Sequence, residues 1–113
     1  MALALNVFKT VTQIVPTDPV GIFTASTGYS GVVLLASATN IGANTQTISF
    51  SHVRSVAGIA VTTEILKEYP IAANDSANLL SGKLVLESGD VMKVSASNGT
   101  DVKFISSVLE TLN

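Results

Sequence analysis

Turn-forming residues interrupt this chain near positions 16–19, 26–28, 40–44, 57–58, 72–76, 81–82, 88–90 and 98–99. The pieces left between them have strand length, and none carries a hydrophobic period of 3.6. Turn signals every ~8–12 residues are the spacing of an all-β sandwich. The most apolar piece is Y-S-G-V-V-L-L-A-S-A-T-N, from Tyr29 to Asn40. It is short, rich in β-branched residues and closed on both sides by turn formers, so it reads as a buried strand at the centre of the domain.

The other pieces alternate. Leu3, Leu5, Val7, Val11 and Val15 share one parity, with Phe8 and Ile14 on the opposite face. In residues 46–56, Ile48 and Phe50 face away from Thr47, Ser49 and Ser51, the pattern of a half-buried antiparallel strand. Further strands are expected at 20–25, 61–71, 91–97 and 101–112, and one long strand at 77–86 bent at Gly82. Ala57-Gly58 is a hairpin tip. Asn98-Gly99 predicts a type I′ hairpin joining the last two strands, because both residues tolerate positive φ. The expected architecture is all-β: a single antiparallel β-sandwich of about eight strands over residues 1–113, with jelly-roll or Greek-key connections. Residues 1–15 form an N-terminal arm or edge strand.

Composition narrows the function. Charged residues are 12% of the 113, about half the ~25% of an ordinary soluble domain. A small domain with so few charges points to a surface covered by neighbours, in a homo-oligomer or a larger assembly. The net charge of −2 and six scattered basic residues give nucleic acid nothing to bind, and aromatics at 5% offer no stacking platform. No run approaches the ~20 apolar residues of a membrane helix, and no signal peptide is read at the start. Without cysteine there is no disulfide and no thiolate metal site.

No residue set names a chemistry. His52 follows Ile48 and Phe50 at the same parity and reads as a core-side structural histidine; G-Y-S-G at residues 28–31 lacks the last glycine of a nucleophile elbow. Asp75, Asp90 and Asp101 stand at turns, where carboxylates cap backbone donors. No loop has the ligand order of a calcium site, and one histidine makes a poor zinc candidate. The expectation is a protein that is not an enzyme and binds no cofactor. Tyr29 and Tyr69 are the aromatic residues on which a glycan-binding alternative would depend.

The ordered motifs G-Y-S-G-V-V-L-L-A-S-A-T-N-I-G (residues 28–42), T-Q-T-I-S-F-S-H-V-R (45–54), Y-P-I-A-A-N-D-S (69–76) and L-L-S-G-K-L-V-L-E-S-G-D (79–90) resemble small virion structural proteins of tailed bacteriophages, of the cyanophage and marine-phage type. The resemblance covers about residues 21–110 and consists of turn and strand grammar. It implies a β-sandwich in the virion, assembled in the host cytoplasm. The implied role is a capsid decoration or cement protein bound to the major capsid protein. The alternatives are a tail, collar or baseplate accessory, or a receptor- or glycan-binding module. Partners would be other virion proteins and further copies of the chain, with no nucleic acid or membrane. Leu3, Leu5, Val7 and Phe8 are the candidate docking segment.

Overall fold

A computed structural model describes residues 6–112, and among these there are nine strands and no helix. They are β1 (Asn6–Ile14), β2 (Val20–Thr24), β3 (Tyr29–Asn40), β4 (Gln46–Val56), β5 (Ile59–Ile71), β6 (Asp75–Asn78), β7 (Leu84–Leu86), β8 (Val91–Ala96) and β9 (Val102–Leu112). All pairings are antiparallel. The front sheet has the order β1-β9-β3-β6, with β7 pairing β3 further along the same strand; the back sheet has the order β2-β8-β4-β5. The two sheets enclose one core, and the expected antiparallel sandwich is the observed fold.

Alternation explains why the sheets close on each other. Val102, Phe104 and Val108 of β9 are buried, as are Ile48 and Phe50 of β4 and Met92, Val94 and Ala96 of β8. Phe104 from the front and Phe50 from the back meet with ring centroids 5.8 Å apart, tilted by 34°. Burying side chains of this size contributes on the order of 2–3 kcal/mol each before entropy is counted.

Three expectations are corrected. The central strand has the expected limits and lies inside the front sheet, yet it is not buried on both faces. The register shifts between Val33 and Leu35, and Leu34 and Leu35 stand exposed while Val33, Ala36 and Ala38 are buried. The 77–86 segment is two short strands rather than one bent strand, β6 against the end of β3 and β7 against its start. Asn98-Gly99 does not close a hairpin: β8 and β9 belong to different sheets, and neither residue has positive φ. Instead the Asn98 carboxamide oxygen accepts from the backbone N–H of Thr100 (2.8 Å) and of Asp101 (3.2 Å), a side-chain-built turn that carries the chain across the sandwich. The positive-φ hairpin sits at Ala57 (53°) and Gly58 (81°), joining β4 to β5.

Candidate functional site

β4 holds His52 in register with buried Met92, on the core-facing side. Its Nε2–H donates to Asp90 Oδ2 at 2.9 Å. Asp90 ends a tight turn in which Gly89 takes φ 87° and the Asp90 N–H donates to the Glu87 carbonyl at 2.9 Å. Two residues beyond His52, at the same parity, Arg54 donates through Nε to Asp90 Oδ1 (3.1 Å) and through a terminal nitrogen to Oδ2 (2.7 Å). That nitrogen also lies 2.7 Å from Glu87 Oε2, and the Glu87 N–H donates to Asp90 Oδ2 at 3.0 Å. The Asp90 side chain is only 4% exposed. The Arg54 hydrogen bonds hold its carboxyl at about 2, against the burial that would raise it, and His52 and the Glu87 N–H add to the effect.

A His–Asp pair is two members of a hydrolytic triad, so its chemistry has to be weighed. Here the carboxylate that would orient the imidazole is saturated by a two-point ion pair and a backbone donor. The chain also lacks the elbow that presents a nucleophilic serine. The cluster ties the tip end of the β4–β5 hairpin to the β7–β8 turn. The backbone continues the tie, with the Ala25 N–H on the Asp90 carbonyl at 3.0 Å. Among the described residues no group of three His, Asp or Glu could hold a metal ion.

A second buried carboxylate, Glu110 on β9, receives Lys9 Nζ at 2.8 Å and the Ser26 N–H at 3.0 Å. The Lys9 ammonium, then the Ser26 N–H, hold its carboxyl below the usual range. Lys9 also lies 5.8 Å from the centre of the Phe23 ring. Sequence reasoning passed over this pair, although a signal was there. Lys9 shares the inward parity of Val7 and Val11, and Glu110 that of Phe104 and Val108, so each needed a partner.

The outward faces of the sheets differ. On the front sheet, cross-strand register places Phe8, Leu109, Val32 and Val85 in one line over four strands. Phe8 is 75% exposed and Val85 54%; Leu34, Leu35, Ile105 and Ile14 extend the patch. A shallow groove lined by Thr12, Ile14, Ile41, Lys103 and Ile105 lies at the far end of the same face. The corresponding line on the back sheet is Gly21, Lys93, Ser51 and Glu64. Contiguous apolar surface of this kind marks an interaction site.

The candidate docking segment is divided by this geometry. Phe8 faces outward, whereas half-buried Val7 pairs with inward-facing Glu110. Leu3 and Leu5 lie outside the described residues. Tyr29 begins β3 beside the Ser88 turn, and Tyr69 sits on the other sheet near the opposite end of β3, where buried Asn40 donates to the Ile71 carbonyl. The two rings form no common platform for a sugar.

No protein-family model and no curated protein matches the chain. Solved structures do match in fold. A chain of the T13 particle of IBDV superposes with a TM-score of 0.59 at 8% identity over 97% of this chain, which spans only 32% of that longer one. The capsid structure of Helicobacter pylori bacteriophage KHP30 includes a chain with a TM-score of 0.52 at 14% identity, covering 96% of this chain and 89% of that one. A subunit of the disulfide-linked pili of Bacillus endospore appendages gives 0.50 at 15% identity, covering 100% and 97%. At such identities the likeness is one of fold.

Proposed function

We propose that this chain is a non-enzymatic structural component of a bacteriophage virion, a decoration or cement protein attached in many copies to the capsid and assembled with it in the host cytoplasm. The observation that carries the reading is the apolar front face, which marks the chain as a subunit of a larger assembly whatever copy or partner covers that face. It belongs to a sandwich whose two buried ionic clusters serve as cross-links between strands and loops. The strand order, β1-β9-β3-β6/β7 facing β2-β8-β4-β5, is that of a jelly roll once β6 and β7 are counted as one broken strand, an architecture used in viral capsids. The shared fold with capsid chains supports the same reading. Without cysteine in these 113 residues, assembly cannot use disulfides, unlike that of the disulfide-linked pili whose subunit shares the fold. Repeated modest contacts would then add as avidity over a shell.

The test is the copy number and position of the chain in purified particles, by quantitative mass spectrometry and labelled electron microscopy. Hundreds of copies spread over the head are expected. A few dozen confined to a tail, collar or baseplate would move the protein there, and its absence from particles would end the virion reading.

A further inference from the structure

We propose that the front face is a self-association surface whose occupant is a second copy of this chain, related by a twofold axis. The axis lies in the plane of the face and crosses the strands at the level of Thr10, Ser107 and Leu35. This reading does not rest on the virion assignment, since it follows from how the face matches itself.

Register supplies the match. Thr10, Ser107 and Leu35 are aligned across β1, β9 and β3. To one side stand Phe8 and Leu109, two residues away, and Val32, three away across the β3 register shift; two residues to the other side stand Thr12, Ile105 and Ser37. A twofold axis at the Leu35 level exchanges these two lines. The protruding Phe8 ring of one copy then falls on the groove at Thr12 and Ile105 of the other, and the reciprocal contact forms at the same time. This is the self-complementarity an isologous interface requires. Leu35, 44% exposed, meets its own counterpart across the axis.

Charge fits the same arrangement. Lys103 is aligned with Ile14 and Thr39, four residues from the axis, and the exchange sets it over Asn6, Thr111 and Ser30 of the other copy. No lysine faces a lysine, and the ammonium reaches amide and hydroxyl oxygens at the rim. Four strands ~4.8 Å apart and about nine residues long make a face of roughly 19 by 30 Å. With side-chain relief this approaches the ~800 Å² per partner of a standard interface. Two such faces would pack about 10 Å apart, at roughly −30°.

Sedimentation equilibrium of the full chain tests the proposal. The expected result is a species of twice the 11.6 kDa chain mass. Phe8→Asp and Ile105→Asp, each at an exposed position, should leave the circular dichroism unchanged and weaken dimerisation at least about 30-fold. Because the chain has no cysteine, single-cysteine variants then map the axis. Leu35→Cys should be cross-linked to its own copy by a short bismaleimide. Phe8→Cys alone should not, because the two Phe8 positions lie roughly 14 Å apart along the strands; Phe8→Cys mixed with Ile105→Cys should be. A monomer at 100-fold varied concentration, a dimer indifferent to both aspartates, or self-cross-linking at position 8 in place of 35 would each overturn it.

Discussion

The two sheets bury the same kind of side chain toward each other and present opposite chemistry to the outside. Across four strands the front sheet shows Phe8, Leu109, Val32 and Val85, while the back sheet shows Gly21, Lys93, Ser51 and Glu64. Core formation explains the inner faces equally well and says nothing about this difference. A sheet in water needs only one apolar face, so the second apolar face of the front sheet answers to a contact outside the domain. The buried acids divide in the same way. Glu110 in the front sheet has one flexible lysine and one backbone donor, whereas Asp90 at the back is held by Arg54, His52 and the Glu87 N–H. The back sheet is the braced one.

That contrast can be broken experimentally. The largest effect expected is from Asp90→Ala, which strips partners from Arg54 and His52 and leaves the Glu87 N–H unsatisfied. We expect a loss of about 3 kcal/mol in urea unfolding. Glu110→Ala should cost less, about 1–2 kcal/mol, because the half-exposed Lys9 can turn to solvent; equal losses would erase the distinction between the sheets. Acid should act through the same groups. A depressed carboxyl stabilises the fold above its unfolded value, near 3.8 for Asp90, and that contribution disappears as pH falls toward about 2. Asp90→Asn should flatten the acid limb of the stability curve, read by thermal unfolding between those pH values.

Smaller effects sharpen the comparison of the faces. Val85→Ser and Ser51→Ala should each change monomer stability by less than about 0.5 kcal/mol, because neither side chain is in the core. Only the front-face change should weaken self-association, read by sedimentation. At the hairpin of the back sheet, Ala57 has φ 53°, a region that disfavours a Cβ. Ala57→Gly should therefore gain roughly 0.5–1 kcal/mol by denaturant titration.

Strand limits were legible because turn formers and alternation are local. Residues 29–40 and 46–56 coincide with β3 and β4. Pairing was less so. Asn98-Gly99 has hairpin chemistry, but the strands on either side have inward faces demanded by different sheets, and a crossing turn built from the Asn98 side chain wins over local φ preference. The exposure of Leu34 and Leu35 depends on one register shift that no composition reveals. His52 was placed on the core side by parity alone, correctly. Its tie to Asp90 joins residues 38 apart in sequence and became visible only when β4 and β8 lay side by side. The apolar line of the front face was hidden for the same reason, since its four residues come from four strands.

Among the described residues only β4 and β5 are sequence neighbours that pair with each other; every other ladder joins strands distant along the chain. Chain closure of that kind is slow. A lone hairpin forms in ~1–10 μs, whereas sandwiches dominated by non-local pairing fold in milliseconds to seconds. The β4–β5 hairpin is thus the natural early structure. The β1–β9 ladder of the front sheet, which brings Asn6 to Thr111, closes the longest loop and carries the largest closure cost. The apolar line on the outer surface of that sheet takes one residue from each of four strands, so it is a property of the paired sheet and not of any single segment.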